Sequence, residues 1–186
     1  SNLLEKKYKN DVVFIGHFEN DGRDEKIKYL LENNIEVKIF GGNSWKSSVN
    51  AGYFNKKEVL LGNLDSKEYN LNLNGAKISL VFLSKLNNDS YTRRCFEIPA
   101  TKSLMLSEYS EDLNNMFEEE KEAAYFRSKE ELLEKVKFYL ANPEIRKNIA
   151  EAGYQRLLKD GHEVSDRVKE IIRVYNQIKN EKDSYN

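Results

Sequence analysis

Absences narrow the possibilities for this 186-residue sequence before any motif does. One cysteine, Cys95, cannot form a disulfide within the chain and fits a reducing compartment. The two histidines, His17 and His162, stand far apart, and neither C-x-x-C nor H-E-x-x-H occurs, so no metal is expected. Charge of one sign is not in excess: 30 Lys and Arg face 31 Asp and Glu, for a formal net charge of -1. That balance excludes a general nucleic-acid binder but not a local cationic pocket. No apolar run approaches the roughly 20 residues that span a bilayer, and no signal peptide opens the chain. The expected compartment is the cytoplasm, including the inner face of a membrane. G-x-G-x-x-G after the first strand-like run, G-x-x-x-x-G-K-[ST] and G-x-S-x-G are all missing, which removes support for dinucleotide, P-loop and serine-hydrolase readings.

What is present is an alternation of strands and helices. "VVFI" (12–15) is a continuous apolar run ending at Gly16, as for a strand buried on both faces of a parallel sheet. Ile27, Leu30 and Leu31 predict a helix over 24–33, and "EVKIF" (36–40) alternates as a second strand, completing a β-α-β unit in about thirty residues. Residues 43–57 read as a loop anchored by Trp45, Tyr53 and Phe54, and 58–62 as a short strand. A helix over 66–76, a buried strand over 77–83, a helix over 90–101 and a strand over 103–107 follow. Ser110 should cap a short helix with Leu113, Met116 and Phe117 inward, and 123–126 is the last strand.

The remainder is helical. Ser128 and Glu131 make a capping box, Asn142-Pro143 places a cap and an N1 proline at the start of the next helix, and Gly161 closes it. Val164, Val168, Ile171, Tyr175 and Ile178 form a narrow apolar seam on the final helix, one that needs a partner. The fold class is therefore α/β, a doubly wound, mostly parallel sheet with a helical C-terminal tail. Residues 1–10 are read as a leader, with Ser1-Asn2 set aside as a processing remnant, 11–180 as one domain and 181–186 as a polar tail. The first strand begins at Val12, so either the domain starts abruptly or a preceding domain is missing.

Open α/β sheets bind ligands at the carboxyl ends of their strands. The first strand runs into "GHFENDGR" (16–23), and "SKLNNDS" leads to the helix bearing Arg93, Arg94 and Glu97. Arg23 and Arg94 there would neutralise a diphosphate beside a helix N-terminus, and Glu97 would accept hydrogen bonds from two vicinal hydroxyls. Each residue also has a plainer reading. Glu97 would pair with Arg93 or Arg94 on the helix surface, Arg93 is a solvated neighbour, Arg23 a loop cation, and His17 a structural or solvent-facing residue. Asp89 reads first as the N-cap of the helix that follows, Cys95 as a small buried residue, and Glu118–Glu120 as a solvated turn.

"TRRCFEIPATKSLMLSE", followed by "FEEEKEAAYFRSKEELLEKVKFYLANPEIRKNIAEAGYQRLLKDGHEVSDR", resembles the C-terminal half of bacterial group 1 glycosyltransferases of the CgeB-like, spore-maturation type. That family carries an R-x-F-E-I-P-A stretch, an E-A-V-x-F strand, an E-E-L helix, an I-A-x-A-G-Y helix and a closing H-…-R segment. "VVFIGHFENDGR" and "VKIFGGNSW" resemble its first β-α-β unit, so the likeness runs from about Val12 to Arg167. The resemblance implies a GT-B fold, two Rossmann-like domains facing a cleft, with this one holding a nucleoside-diphosphate sugar donor and needing no further cofactor. Glu97 would take the ribose hydroxyls, Arg23 and Arg94 the diphosphate, with Gly16 and His17 in the same loop. Asp89 falls where related retaining enzymes place an acidic residue near the transferred sugar. The family often has glycine where this chain has Lys102, which either adds a phosphate contact or points to solvent; Arg93 is a second candidate for such a contact. The implied partners are the donor and an N-terminal Rossmann-like domain with the acceptor site, without which this chain would be inactive. A non-catalytic Rossmann-like module binding a nucleotide or a protein stays open as an alternative; a nucleotide-sugar epimerase is a third reading.

Overall fold

A computed structural model of the chain describes residues 8–50, 52, 54, 59–60, 64–162 and 164–183. Six strands, β1 (Asn10–Ile15), β2 (Val37–Phe40), β3 (Val59–Leu60), β4 (Ala76–Val81), β5 (Leu104–Glu108) and β6 (Ala124–Phe126), form one parallel sheet in the order β3-β2-β1-β4-β5-β6. The chain winds outward from β1 to β3, then returns to the other side of β1 with β4. The loops after β1 and β4 therefore diverge, opening a crevice at that reversal.

Period-2 alternation explains why the strands read as unbroken apolar runs. Val12 and Phe14 face one layer, packing with Ile27 and Leu30 of α1 (Arg23–Glu32) and Leu132 and Val136 of α6 (Lys129–Ala141). Val13 and Ile15 face the other. There they join Leu73 of α3 (Ser66–Gly75), Cys95 and Ile98 of α4 (Arg94–Ala100) and Leu157 of α7 (Pro143–Lys159). An aromatic row crosses the carboxyl end of the sheet. Phe14 and Phe126 each meet Phe82 edge to face, with centroids 5.1 and 5.8 Å apart.

Part of the expected loop 43–57 is helical: Gly42–Trp45 forms a 3-10 turn that runs into α2 (Lys46–Asn50). Trp45 is the cause. Its ring is fully buried against Phe14, Phe18 and Phe54, and its indole N–H donates to the Gly16 carbonyl at 2.9 Å, which pins the segment to the end of β1. Tyr53, Gly62 and the flanks of the predicted third strand lie outside the described residues.

Helix ends test the local chemistry. Ser110 caps α5 (Glu111–Met116) through the Leu113 N–H at 3.1 Å, and Ser128 caps α6 through that of Glu131 at 3.1 Å. The Glu131 carboxylate returns to the N–H of Arg127, one residue outside the reciprocal bond of a capping box. Asn142 does not cap α7 with its side chain; its amide donates to Phe138 and so closes α6 instead. Gly161, at φ 62°, turns the chain out of α7. Gly153 sits where a Cβ would come within 2.3 Å of the Glu122 carbonyl, so α7 approaches the β6 edge as closely as it does only without a side chain. The acidic run is not merely a solvated turn. Glu119 pairs with Arg127 at 2.8 Å and Lys135 at 3.1 Å, while Glu120 meets Lys135 at 2.7 Å and accepts the Tyr139 hydroxyl. The last helix, α8 (Val164–Asp183), leaves its seam uncovered, with Ile171 and Tyr175 about two-thirds exposed at 67% and 64%. Among the described residues no helix is long and apolar enough to cross a membrane.

Candidate functional site

The loops that diverge at the β1–β4 reversal carry most of the residues singled out from the sequence. Gly16 leaves β1 with its N–H bonded to Phe40 at 3.1 Å and its carbonyl bonded to Trp45, and His17 follows with an exposed side chain. Arg23, six residues on, is 1% exposed. Its guanidinium grips Asp21 through Nε at 2.8 Å and Nη2 at 2.5 Å, its Nη1 donates to the His17 carbonyl at 2.8 Å, and Glu19 lies 3.3 Å away. Burial works to raise the pKa of Asp21, but the hydrogen bonds and charge of Arg23 outweigh it and hold the carboxyl below its ordinary 3.8. Arg23 thus closes its own loop into a knot in which one cation is shared by two carboxylates.

Arg94 has no such partner. It opens α4 with its Nε buried and without a hydrogen bond, and no described carboxylate stands in ion-pair contact with it. Burial pushes its pKa down; Tyr69, Cys95 and Glu97 nearby oppose that, and Arg23 repels it. Arginine stays protonated all the same, so a desolvated cation is left looking for an anion. An orphaned buried polar group costs free energy comparable to a lost hydrogen bond, about 1–3 kcal/mol. Open backbone amides are not the attraction here. The N–H groups of Cys95, Phe96 and Glu97 are already bonded to the carbonyls of Thr92 and Arg93, so an anion would meet the side chain.

Glu97 is one turn further along α4. Its Oε1 stands in ion-pair contact with Arg93 Nε at 2.8 Å, the surface pair that the i−4 spacing allowed, and its Oε2 accepts the hydroxyl of Tyr69 on α3. Tyr69 was not singled out from the sequence, because nothing in "SKEYNLNL" marks which of its residues will meet α4 across the layer. Glu97 borders a cleft of about 370 Å³ lined by Leu64, Asp65, Ser66, Tyr69 and Asn70, and a larger groove on the far side of α4. In that groove His162, from the closing H-…-R segment, packs its ring 4.8 Å from that of Phe96, so two stretches distant in sequence meet. Arg167 completes the corner by donating to the Gly161 and Asp160 carbonyls at 2.7 and 2.9 Å. Burial, then Arg167, lowers the pKa of His162.

Asp89 does not cap α4. The helix begins five residues later, because Asp89 N–H bonds back to the Ser84 carbonyl at 2.9 Å and closes a turn with Asn88 at φ 53°. Its side chain lines a crevice of about 500 Å³ with Lys26, Lys85, Glu108, Tyr109 and Arg127, not the clefts that Glu97 borders. Lys26 pairs with Glu108 at 3.2 Å across that crevice. Arg93 is a surface residue, 85% exposed. Lys102 stands apart from all of these, before β5 and so at the opposite end of the sheet. It pairs with Glu151 at 2.8 Å and lies over the Tyr154 ring, and its φ of 58° shows why glycine is at home in this turn. The structure brings Gly16, His17, Arg23, Arg94 and Glu97 to one end of the fold and leaves Lys102 out.

A family model described as "Glycosyl transferase-like" matches residues 23–173. The chain belongs to that family. Its fold recurs in solved glycosyltransferases. The C-terminal domain of a glycosyl transferase group 1 family protein from Francisella tularensis superposes with a TM-score of 0.63 at 14% identity, over 87% of this chain and 91% of that one. A glycosyltransferase from Rickettsia africae gives 0.71 at 13% identity, over 91% of this chain but 48% of that one. A protein from Anabaena solved in complex with UDP-glucose gives 0.64 at 10% identity, over 81% and 44%. The chain thus spans about half of the longer transferases and nearly all of the isolated C-terminal domain. No curated protein matches the sequence. The fold class expected from the sequence, a doubly wound, Rossmann-like α/β domain of the GT-B C-terminal kind with a helical tail, is the one observed.

Proposed function

We propose that the chain is the nucleotide-sugar-binding half of a GT-B glycosyltransferase, taking a nucleoside-diphosphate sugar and releasing the nucleoside diphosphate as the sugar moves to an acceptor. The observation that carries this reading is Arg94: a half-buried cation whose buried Nε has no partner, one helical turn from a carboxylate, at the switch point of the sheet. An anionic group seated there satisfies Nε and removes the orphan. Glu97 accepts the ribose hydroxyls, and the 370 Å³ cleft beside it, between Leu64 and Tyr69, receives the base. Negative charge grows on the leaving diphosphate in the transition state, and a cation already desolvated and fixed stabilises it without reorganising. Arg23 contributes by holding the β1–α1 loop in shape, since its charge is taken up by Asp21 and Glu19. Asp89, in the neighbouring crevice, faces the transferred sugar, and if the outcome follows the related two-carboxylate enzymes the transfer is retaining.

The complete enzyme includes a second, N-terminal Rossmann-like domain that carries the acceptor site, and these residues alone bind donor weakly without turning it over. The CgeB-like subtype and a bacterial, cytoplasmic setting belong to the same reading. Calorimetric titration of the folded chain with UDP, GDP, ADP and CMP tests it. Saturable binding of one nucleotide supports it and names the base. Silence across the panel from a folded sample defeats it and leaves the non-catalytic module.

A further inference from the structure

We infer that Tyr69 is a positioning residue that holds the Glu97 carboxylate with one acceptor site open on each oxygen, shaped for the vicinal diol of a ribose. This rests on the donor-site reading above. A carboxylate has two oxygens and about four lone-pair sites. In Glu97, Tyr69 fills one site on Oε2 by a hydrogen bond, and Arg93 lies against Oε1 as an ion pair. Each oxygen keeps capacity for a further hydrogen bond, one for each hydroxyl of a cis-diol. The side chain is 29% exposed, so those sites are open to a ligand.

The two partners are unequal. Arg93 is 85% exposed, and an exposed ion pair on a flexible stem contributes at most about 1 kcal/mol and reorients readily. Tyr69 is half-buried, has only two side-chain torsions, and stands on a helix fixed at both ends. Asp65 caps that helix through the Glu68 N–H at 2.7 Å, and Leu73 anchors it in the core. Burial, and then the bond to Glu97, raise the phenol's pKa further, so it remains a neutral donor throughout the physiological range. The tyrosine therefore sets the plane of the carboxylate, and Arg93 follows it. A tyrosine present only to pack against α4 has no use for its hydroxyl.

Tyr69→Phe removes that hydroxyl and little else. The experiment takes whichever of UDP, GDP, ADP and CMP the wild-type chain binds, and titrates it and its 2′,3′-dideoxy counterpart into wild type, Tyr69→Phe, Arg93→Ala and Glu97→Gln, each checked for an unchanged melting transition. Tyr69→Phe should weaken the ribonucleotide about tenfold and the dideoxy form by less than about twofold. Arg93→Ala should weaken the ribonucleotide by less than about threefold, and adding Tyr69→Phe to Glu97→Gln should cost nothing further. Equal weakening of both nucleotide forms makes Tyr69 a packing residue and overturns the inference. No weakening in Tyr69→Phe, with the ribonucleotide still sensitive to Glu97→Gln, also overturns it but leaves the donor site standing. A wild type that binds both forms alike refutes the diol contact itself, and one that binds no nucleotide refutes both readings.

Discussion

The β1–α1 loop and the β4–α4 junction each place an arginine at the same end of the sheet, and they treat it in opposite ways. Arg23 is saturated: a bidentate carboxylate, a backbone carbonyl and a second carboxylate account for its guanidinium. Arg94 is half-buried and keeps a buried Nε without a partner. A buried charge with its partner built in is a fastening. One without is unstable by itself, and its persistence points to something the chain does not supply. Sequence spacing treats the two residues as equivalent cations beside a glycine loop and a helix start; only their partners tell them apart.

The sharpest way to break this contrast is to remove the fastening. Arg23→Met should leave Asp21 buried and unpaired and lower the unfolding free energy by about 3–5 kcal/mol, measurable by urea denaturation; a loss below about 1 kcal/mol would mean that the knot is not structural. Arg94→Met is the converse. It removes an unsatisfied cation of similar volume, so stability in the same assay should hold or rise by about 1 kcal/mol, and a loss of several would show that Arg94 is a fastening too.

Acid should discriminate next. The Asp21 pKa in the folded chain lies below its ordinary 3.8, so its contribution to stability is present at pH above that value. It is lost as pH falls through the lowered folded value. Asp21→Asn should therefore flatten the acid limb of the stability curve below about pH 4, while the Arg94 variant leaves that limb unchanged. The smallest effect belongs to the other end of the sheet. Lys102→Gly should be more stable than Lys102→Ala by about 1 kcal/mol, because only glycine occupies a φ of 58° without strain. Neither change should alter nucleotide affinity.

The sheet was legible because its strands are buried on both faces and bounded by glycines or caps: β1, β2, β4, β5 and β6 all fall on runs visible in the sequence. Ser110, Ser128 and Gly161 act locally and were equally readable. The failures share a cause. Asp89 as a cap, Asn142 as a cap and 43–57 as loop each depended on a contact with something distant or on a competing local hydrogen bond: Ser84 for Asp89, Phe138 for Asn142, Gly16 for Trp45. At the candidate site, the sequence located Arg94 and Glu97 on one helix. It could not say that Arg23 is consumed by Asp21, that Lys102 lies at the wrong end of a parallel sheet, or that Tyr69 reaches Glu97 from 28 residues away.

The most direct test of the account sets Arg94 against a cation at the far end of the sheet in one titration. The nucleoside diphosphate that binds the wild-type chain is titrated into Arg94→Met and into Lys102→Ala as a control at the far end of the sheet. The account predicts about tenfold to hundredfold weaker binding for Arg94→Met, the worth of a charge-assisted hydrogen bond of about 1.5–3 kcal/mol, with the control unchanged and both variants folded. Affinity in Arg94→Met equal to wild type would contradict the central claim that the unpartnered cation is the ligand's seat.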